Sequence, residues 1–251
     1  MKKIFLLIAA LVPTIALAAG PSIPLDKHRT DLRDNASLQS GAQTYMAYCM
    51  GCHSLEHGRY NRVARDLGIP EDLMMENLVF ADKRIGELMT NAMRREDGQA
   101  WFGAPPPDLT LVARVRGADW LYTYLRSFYA DDMRPFGYNN EVFKDVGMPH
   151  VLAELQGMQV KGTAPVAVGV DSLTGIAITE ERDDVLYVAK AGTLSTAEYD
   201  RLVFDLVNFL VYMGEPIALE RQRLGIWVLL FLAFFFIPVY LLNKEYWRDV
   251  K

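Results

Sequence analysis

The amino-acid sequence predicts a mainly α-helical domain with a small β-flap insertion, followed by one C-terminal transmembrane helix. Apolar and aromatic residues recur at helical spacing in stretches such as 118–129, which indicates helices with one buried face. Short β-type runs at 166–170 and 185–188 indicate a hairpin within residues 160–190. Residues 224–242 form an uncharged stretch of 19 residues, which is long enough to cross the hydrocarbon core of a bilayer.

The N-terminal segment has the pattern of a secretory signal peptide. Two lysines at the start precede an apolar run from Ile4 to Leu17, and small residues follow it. This pattern predicts a signal peptide over residues 1–19, cleaved after Ala18 or Ala19. The alternative is an uncleaved N-terminal anchor, but a proline within such a short run favours cleavage.

The predicted topology follows from these two apolar segments. Residues 20–220 form a domain outside the cytoplasm, 224–242 span the membrane, and 243–251 form a cytoplasmic tail. Tryptophans and tyrosines near both ends of the span are typical of membrane interfaces. Arginines and lysines flank both sides, so the signal peptide determines the predicted orientation. In a bacterium this places the domain on the periplasmic side of the inner membrane.

The sequence Cys49-Met50-Gly51-Cys52-His53 contains both cysteines of the chain and one of its four histidines. The spacing C-x-x-C-H is typical of covalent attachment of haem c. Both thiols add to the haem vinyl groups, and the adjacent imidazole binds the iron. On a helix these residues project to one side. A thioredoxin-like redox pair or half of a zinc site is the alternative, but the chain has no βαβ pattern around the motif and no second cysteine pair. We therefore predict one covalently bound haem per chain.

The elements around this motif are assigned from helical periodicity and from start and stop signals. Ser37 is predicted to cap a helix that begins at Leu38 and delivers the haem motif. Ser195 and Glu198 have capping-box spacing, which predicts a helix to about Met213. The other predicted helices begin near Ile69–Asp72 and cover 82–93, 108–115 and 118–129, with irregular stretches at 58–68, 94–103 and 131–149.

The second axial ligand of the iron determines the chemistry, because a methionine gives a high-potential electron carrier and an open position allows ligand binding. Of 11 methionines, most lie on the His53 side or in helical patterns. Three lie in irregular segments: Met133, Met148 and Met158. Met148 is favoured because it lies between a glycine, which permits close approach, and a proline, which stiffens the loop. Met133, Met158 and His150 remain alternatives at this point.

The charge balance limits the classes of partner. The chain has 26 basic and 31 acidic residues, a net charge of −5, which becomes −7 when the two lysines of the signal peptide are removed. A nucleic-acid partner would require the opposite sign. Acidic pairs on the surface would instead attract a basic protein, and they are distributed along the chain: Glu71-Asp72, Glu96-Asp97, Asp131-Asp132, Glu180-Glu181 and Asp183-Asp184.

These features together resemble the cytochrome c1 family, the membrane-anchored haem subunits of ubiquinol–cytochrome c reductase (the cytochrome bc1 complex). The resemblance covers essentially the whole mature chain. Beyond C-x-x-C-H, its motifs are P-P-D-L at Pro106–Leu109, A-R-x-R at Ala113–Arg116, G-M-P at 147–149 and G-E-P at 214–216 before the membrane span. The sequence departs from the family pattern at Pro149-His150, and residues 160–190 have no family counterpart that we can place.

The resemblance implies a class I c-type cytochrome-like domain, with Met148 as the sixth ligand of the iron and Arg116 in contact with a haem propionate. It also implies the function: one electron is accepted from the Rieske iron–sulfur protein and passed to a soluble or tethered cytochrome c. Cytochrome b and the Rieske protein would be partners in a dimeric membrane complex. The chain would be a redox subunit, with no catalytic residues of its own. The alternatives are another membrane-anchored monohaem carrier and, from the enzyme class, a haem with an open sixth position.

Overall fold

The computed structural model of the protein describes residues 23–80, 82–170, 174 and 177–249. The predicted signal peptide at 1–19 lies outside these residues. Helices and short antiparallel strand pairs follow one another in chain order: α1 (Asn35–Thr44, continued by a π-helical turn Tyr45–Cys49), β1 (Leu55–Arg59), α2 (Tyr60–Leu67), α3 (Glu71–Asn77), β2 (Leu88–Met89), α4 (Arg95–Phe102), α5 (Val112–Arg116), α6 (Ala118–Arg126), β3 (Phe128–Ala130), β4 (Tyr138–Asn140), α7 (Ala153–Gln156), β5 (Gly157–Val170), β6 (Ala177–Ala191), α8 (Thr196–Gly214) and α9 (Ala218–Tyr246). The predicted fold class is confirmed.

The centre of the domain is the contact between α1 and α8. A Cβ on Gly41 would lie 2.1 Å from the carbonyl oxygen of Asp205 and 2.7 Å from Cβ of Phe209, so the two helices approach as closely as a glycine allows. Ser37 Oγ donates a hydrogen bond of 2.5 Å to the Asp205 carboxylate, and Asn208 donates to the same hydroxyl. The contact between α1 and α8 determines where the C-x-x-C-H motif leaves α1.

The two predicted helix caps have different outcomes. The capping box of Ser195 and Glu198 is present at the start of α8, as predicted. The prediction that Ser37 caps α1 is wrong, because Asp34 caps the helix and accepts from the backbone N–H of Ser37. Ser37 lies within the helix and is buried, since its hydroxyl serves the contact with α8.

Several local assignments are also wrong. Residues 82–93 form turns and β2, because Tyr60 and Asn61 donate backbone hydrogen bonds to this segment and β2 pairs with β1. Residues 94–103 contain α4, which has acidic residues in its first turn and ends at Gly103 with φ of 79°. The stretch 58–68 contains the end of β1 and all of α2.

The segment predicted as a helix over 118–129 divides in two. Helix α6 ends at Arg126, and Phe128–Ala130 pairs with β4 in the segment predicted as a loop at 131–149. The helix predicted at 108–115 is the shorter α5. The pairing of β3 with β4 therefore overrides local helical periodicity at 128–129.

Strands β5 and β6 form the predicted β-flap, an antiparallel hairpin longer than expected. Its base is tight because Gly157, with φ of 90°, and Gly192 approach each other: a Cβ on Gly192 would lie 2.4 Å from the Gly157 nitrogen. Gln159 joins the base to the domain through hydrogen bonds to the carbonyls of Arg126 and Phe128. Most residues beyond this base are exposed.

Helix α9 has 29 residues and contains the predicted span. None of its most apolar 18-residue window is buried in the described structure. A helix of this length measures about 43 Å. Its length and composition are thus consistent with a single-pass membrane anchor. Pro238 lies inside it, which membrane helices tolerate.

Candidate cofactor site

A cavity of about 360 Å³ lies beside the cysteine-containing turn, within the range of about 300–1,000 Å³ that is usual for ligand sites. Its lining is mostly apolar and comes from seven parts of the chain: the turn after α1, the end of α4, the proline run before α5, α5, α6, the loop around Met148, and α8. All five predicted site residues line it: Cys49, Cys52, His53, Arg116 and Met148. An apolar slot of this kind suits a flat aromatic macrocycle.

The π-helical turn at Tyr45–Cys49 places the attachment motif at the cavity. The turn widens the helix, and the backbone N–H groups of Cys52 and His53 both donate to the carbonyl of Cys49. The motif is therefore a compact turn and not a continuation of α1. Both cysteines and the histidine face the same space, as haem attachment requires.

The imidazole of His53 is held in one orientation. Its Nδ1 lies 2.7 Å from the carbonyl oxygen of Pro107, which requires Nδ1 to carry the proton and leaves the lone pair on Nε2. The Tyr45 hydroxyl donates a 2.5 Å hydrogen bond to the His53 carbonyl. Burial lowers the pKa of His53, against the opposing effect of its bond to Pro107, so the ring is presented as a neutral donor.

The two thiols do not have the properties of a redox-active pair. Burial raises the pKa of Cys49 to about 12, and burial also raises the pKa of Cys52. Reactive cysteines of thioredoxin-like sites have lowered pKa values that favour the thiolate. This environment disfavours the thioredoxin-like alternative.

Met148 is the methionine, among the described residues, that lines the cavity. Met133 is 89% exposed and Met158 is 38% exposed, and neither lines it. A Cβ on Gly147 would lie 2.9 Å from the Phe102 carbonyl oxygen, so this glycine lets the Met148 loop pack onto the end of α4. The sulfur of Met148 lies 3.3 Å from the Tyr124 hydroxyl.

His150, the alternative ligand two residues later, does not line the cavity. Its ring is buried, stacks on Phe128 at 4.7 Å and contacts Gln156 Oε1 through Nε2 at 2.7 Å. Burial lowers its pKa to about 4. His150 therefore packs as a neutral aromatic ring that supports the loop.

Arg116 lines the cavity and is exposed. Its guanidinium carbon lies 5.1 Å from the centre of the Trp120 ring, and among the described residues it has no carboxylate partner. Arg114, two residues earlier, is also exposed but pairs with Glu215 at 3.5 Å. Arg116 is thus the arginine here that is free to bind an added carboxylate.

The sequence indicated Trp120, Tyr124 and Phe128 as one aromatic face that suits the wall of a haem pocket, and Trp120 and Tyr124 do line the cavity. Sequence reasoning missed the contact of Tyr124 with Met148. Trp120 stacks on Tyr124 at 4.9 Å, and Tyr124 meets Phe128 edge-on. The spacing of four residues between Trp120, Tyr124 and Phe128 indicated an apolar helix face. The contact of the Tyr124 hydroxyl with Met148 could not be predicted in this way, because Met148 lies in a loop 24 residues away. Phe102 also lines the cavity, from a helix that was predicted as a loop.

Comparison with known proteins finds one matching family model and several similar proteins. The Cytochrome C1 family model matches residues 27–250. A protein named cytochrome c1 from Allochromatium vinosum is 51% identical over all of both chains. A protein named ammonia monooxygenase gamma subunit from Nitrosomonas europaea is 45% identical over all of this chain and 99% of its own. The mitochondrial cytochrome c1 haem protein of Saccharomyces cerevisiae is 25% identical over 87% of this chain and 68% of its own.

Proposed function

The chain belongs to the cytochrome c1 family, an electron-transport family, and we propose that it is the haem subunit of a quinol–cytochrome c reductase. In this role it takes one electron from a Rieske iron–sulfur protein and passes it to a c-type cytochrome. Cytochrome b and the Rieske protein are its partners in a dimeric membrane complex. The observation that carries the proposal is the apolar cavity lined by the C-x-x-C-H turn and by Met148.

In this proposal each site residue has a distinct role. Cys49 and Cys52 would hold one haem c through thioethers, and its iron would supply one-electron exchange. His53 would bind the iron through Nε2, because Pro107 holds its other nitrogen. Met148 would bind the iron through its sulfur. The guanidinium of Arg116 would bind a propionate carboxylate, since it pairs with no carboxylate of a described residue.

The proposed topology places these residues at a membrane surface. Residues 1–19 are a signal peptide, 20–220 a periplasmic haem domain, 224–242 an inner-membrane span and 243–251 a cytoplasmic tail. The long apolar helix Ala218–Tyr246 supports an anchor. An anchor of this kind keeps the haem beside a membrane-bound donor.

Two axial donors favour a carrier over a haem enzyme with an open position. Met148→Leu tests this assignment, because leucine preserves the volume but removes the sulfur donor. We expect the variant to retain covalently attached haem, to lose the low-spin methionine-ligated spectrum, to fall in midpoint potential and to bind carbon monoxide when reduced. The measurements are visible spectroscopy and redox titration.

Met158→Leu is the matched control, since Met158 lies on the hairpin and does not line the cavity. It should behave as the unmodified protein does. A Met148→Leu protein with an unchanged spectrum and potential would show that the sixth ligand lies elsewhere. Prompt carbon monoxide binding by the unmodified protein would support an open-site haem instead.

A second candidate role is an electron carrier in another membrane redox system. It is favoured by the 45% identical relative, whose name refers to ammonia monooxygenase. Purification of the tagged chain from mild-detergent extracts distinguishes the roles. Stoichiometric recovery of cytochrome b and a Rieske protein supports the reductase, whereas recovery of monooxygenase subunits without them contradicts it.

A further inference from the structure

The hydroxyl of Tyr124 has an unusual partner for a buried phenol. It lies 3.3 Å from the sulfur of Met148, within hydrogen-bonding distance of a sulfur acceptor, and it has no other hydrogen-bond partner in the described part of the chain. Thioether sulfur is a weak acceptor. Tyr124 itself is 9% exposed, so the hydroxyl has little access to water as a stronger partner.

Three other buried tyrosines in the described ranges use oxygen acceptors instead, and one of them, Tyr212, donates to the Asp66 carboxylate at 2.9 Å. The Tyr199 hydroxyl donates to the Leu125 carbonyl at 2.8 Å. The Tyr45 hydroxyl donates to the His53 carbonyl at 2.5 Å and also lies 3.3 Å from Met50, which does not line the cavity. Among the described buried tyrosines, Tyr124 is thus the one whose hydroxyl contacts a sulfur that lines the cavity.

The ring of Tyr124 is fixed by its aromatic neighbours. Trp120 stacks on it at 4.9 Å with an angle of 10° between the rings, and Phe128 contacts it edge-on at 5.1 Å. Phe128 in turn stacks on His150, which lies in the same loop as Met148. One packed array therefore positions both the donor hydroxyl and the loop that carries the acceptor.

The hydrogen bond has a direct electronic consequence if Met148 is the axial donor. The sulfur has two lone pairs, so one can bind the metal while the other accepts the proton of Tyr124. The hydroxyl then withdraws electron density from the sulfur and makes it a weaker donor. A weaker donor stabilises the ferric state less, so the reduced state is favoured and the potential rises. Hydrogen bonds to ligands are a recognised means of adjusting such sites.

We propose that Tyr124 is a positioning residue that raises the reduction potential of the haem by donating a hydrogen bond to the sulfur of Met148. The proposal rests on the proposed function, in particular on Met148 as sixth ligand. It assigns to Tyr124 a role distinct from packing, because the ring alone would be sufficient for packing.

Tyr124→Phe tests the proposal, since it removes the hydroxyl and keeps the ring. We expect the variant to keep the red charge-transfer band that reports methionine ligation, at a shifted position. Its midpoint potential should fall by the equivalent of about three- to tenfold in the equilibrium constant for electron uptake, where tenfold is about 59 mV for a one-electron couple. The measurement is a redox titration of the purified full-length protein.

Tyr199→Phe is the matched control, because it removes a buried hydroxyl that donates to a carbonyl. Its midpoint potential should stay unchanged. A Tyr124→Phe protein with an unchanged potential and a retained methionine band would overturn the role of Tyr124 and leave the proposed function intact. Retention of the methionine band in Met148→Leu would instead reject the ligand assignment itself.

A second change covers the case in which Tyr124→Phe fails to fold. A ring-fluorinated tyrosine at position 124 alone keeps the aromatic packing and makes the hydroxyl a stronger donor. The midpoint potential should then rise, which is the opposite shift from Tyr124→Phe. An unchanged or lower potential would contradict the proposal.

Discussion

At the scale of single residues, Arg114 and Arg116 illustrate how position within one short helix separates two similar side chains. Both are exposed, but Arg114 pairs with Glu215 whereas Arg116 lines the cavity and lies over Trp120. The family motif suggested Arg116, and its role as propionate partner stays a prediction. Its guanidinium pairs with no carboxylate in the described ranges, and this makes the prediction testable.

Arg116→Gln should lower the midpoint potential of the haem, because it removes a positive charge that favours the reduced state. Partial solvent exposure screens the charge, so we expect a modest shift, equivalent to about threefold in the electron-uptake equilibrium. Redox titration measures it, with Arg114→Gln as the matched control. Equal shifts in the two variants would contradict a specific role of Arg116.

At the scale of secondary structure, the contact between α1 and α8 supports the site. The haem motif leaves α1 through a π-helical turn, so any displacement of α1 displaces Cys49. Gly41 permits the close approach of the helices, and Ser37, Asp205 and Asn208 form a buried hydrogen-bonded set across it. Such fully satisfied polar sets specify one relative placement of two helices.

Gly41→Ala should destabilise the domain by about 1–3 kcal/mol, because the added methyl group would overlap the Asp205 carbonyl and the helices would have to separate. Thermal unfolding of the haem-loaded protein, followed by the visible spectrum, measures the loss. Gly86→Ala is the control, since a Cβ at Gly86 meets no atom within 4 Å. A Gly41→Ala protein as stable as Gly86→Ala would show that the close contact is unimportant.

At the scale of the whole molecule, an acidic domain precedes the long apolar helix α9. Some acidic residues are neutralised locally, as Asp97 is by Arg94 and Asp184 is by Lys161. Glu71 and Asp72, in the first turn of α3, form no ion pair with any described residue. The surface therefore keeps acidic groups that can attract a basic partner.

Electron transfer to a basic cytochrome c should slow as salt is raised, because the Debye length falls from about 10 Å at 0.1 M to about 3 Å at 1 M. Stopped-flow measurement of the second-order rate constant tests this. Oxidation by a small uncharged reagent, as the control, should depend little on salt. A salt-independent rate with the protein acceptor would exclude electrostatic guidance.

The sequence by itself determined the features that depend on local spacing or length. The C-x-x-C-H motif, the capping box at Ser195, the β-flap and the long apolar C-terminal helix were all recognisable in this way. Local periodicity failed at 82–93, since β2 pairs with the distant β1. It also failed at 94–103, where the acidic first turn and Gly103 were signals that could have identified α4.

Only the tertiary structure decided which residues share the cavity. It brought Met148 and the attachment motif to one space, left Met133 and Met158 away from it, and placed the Tyr124 hydroxyl beside the Met148 sulfur. These contacts join segments tens of residues apart, and their geometry depends on how α1, α6 and α8 pack. Spacing along a chain fixes which side chains are neighbours on one element, whereas packing between elements fixes which of them meet.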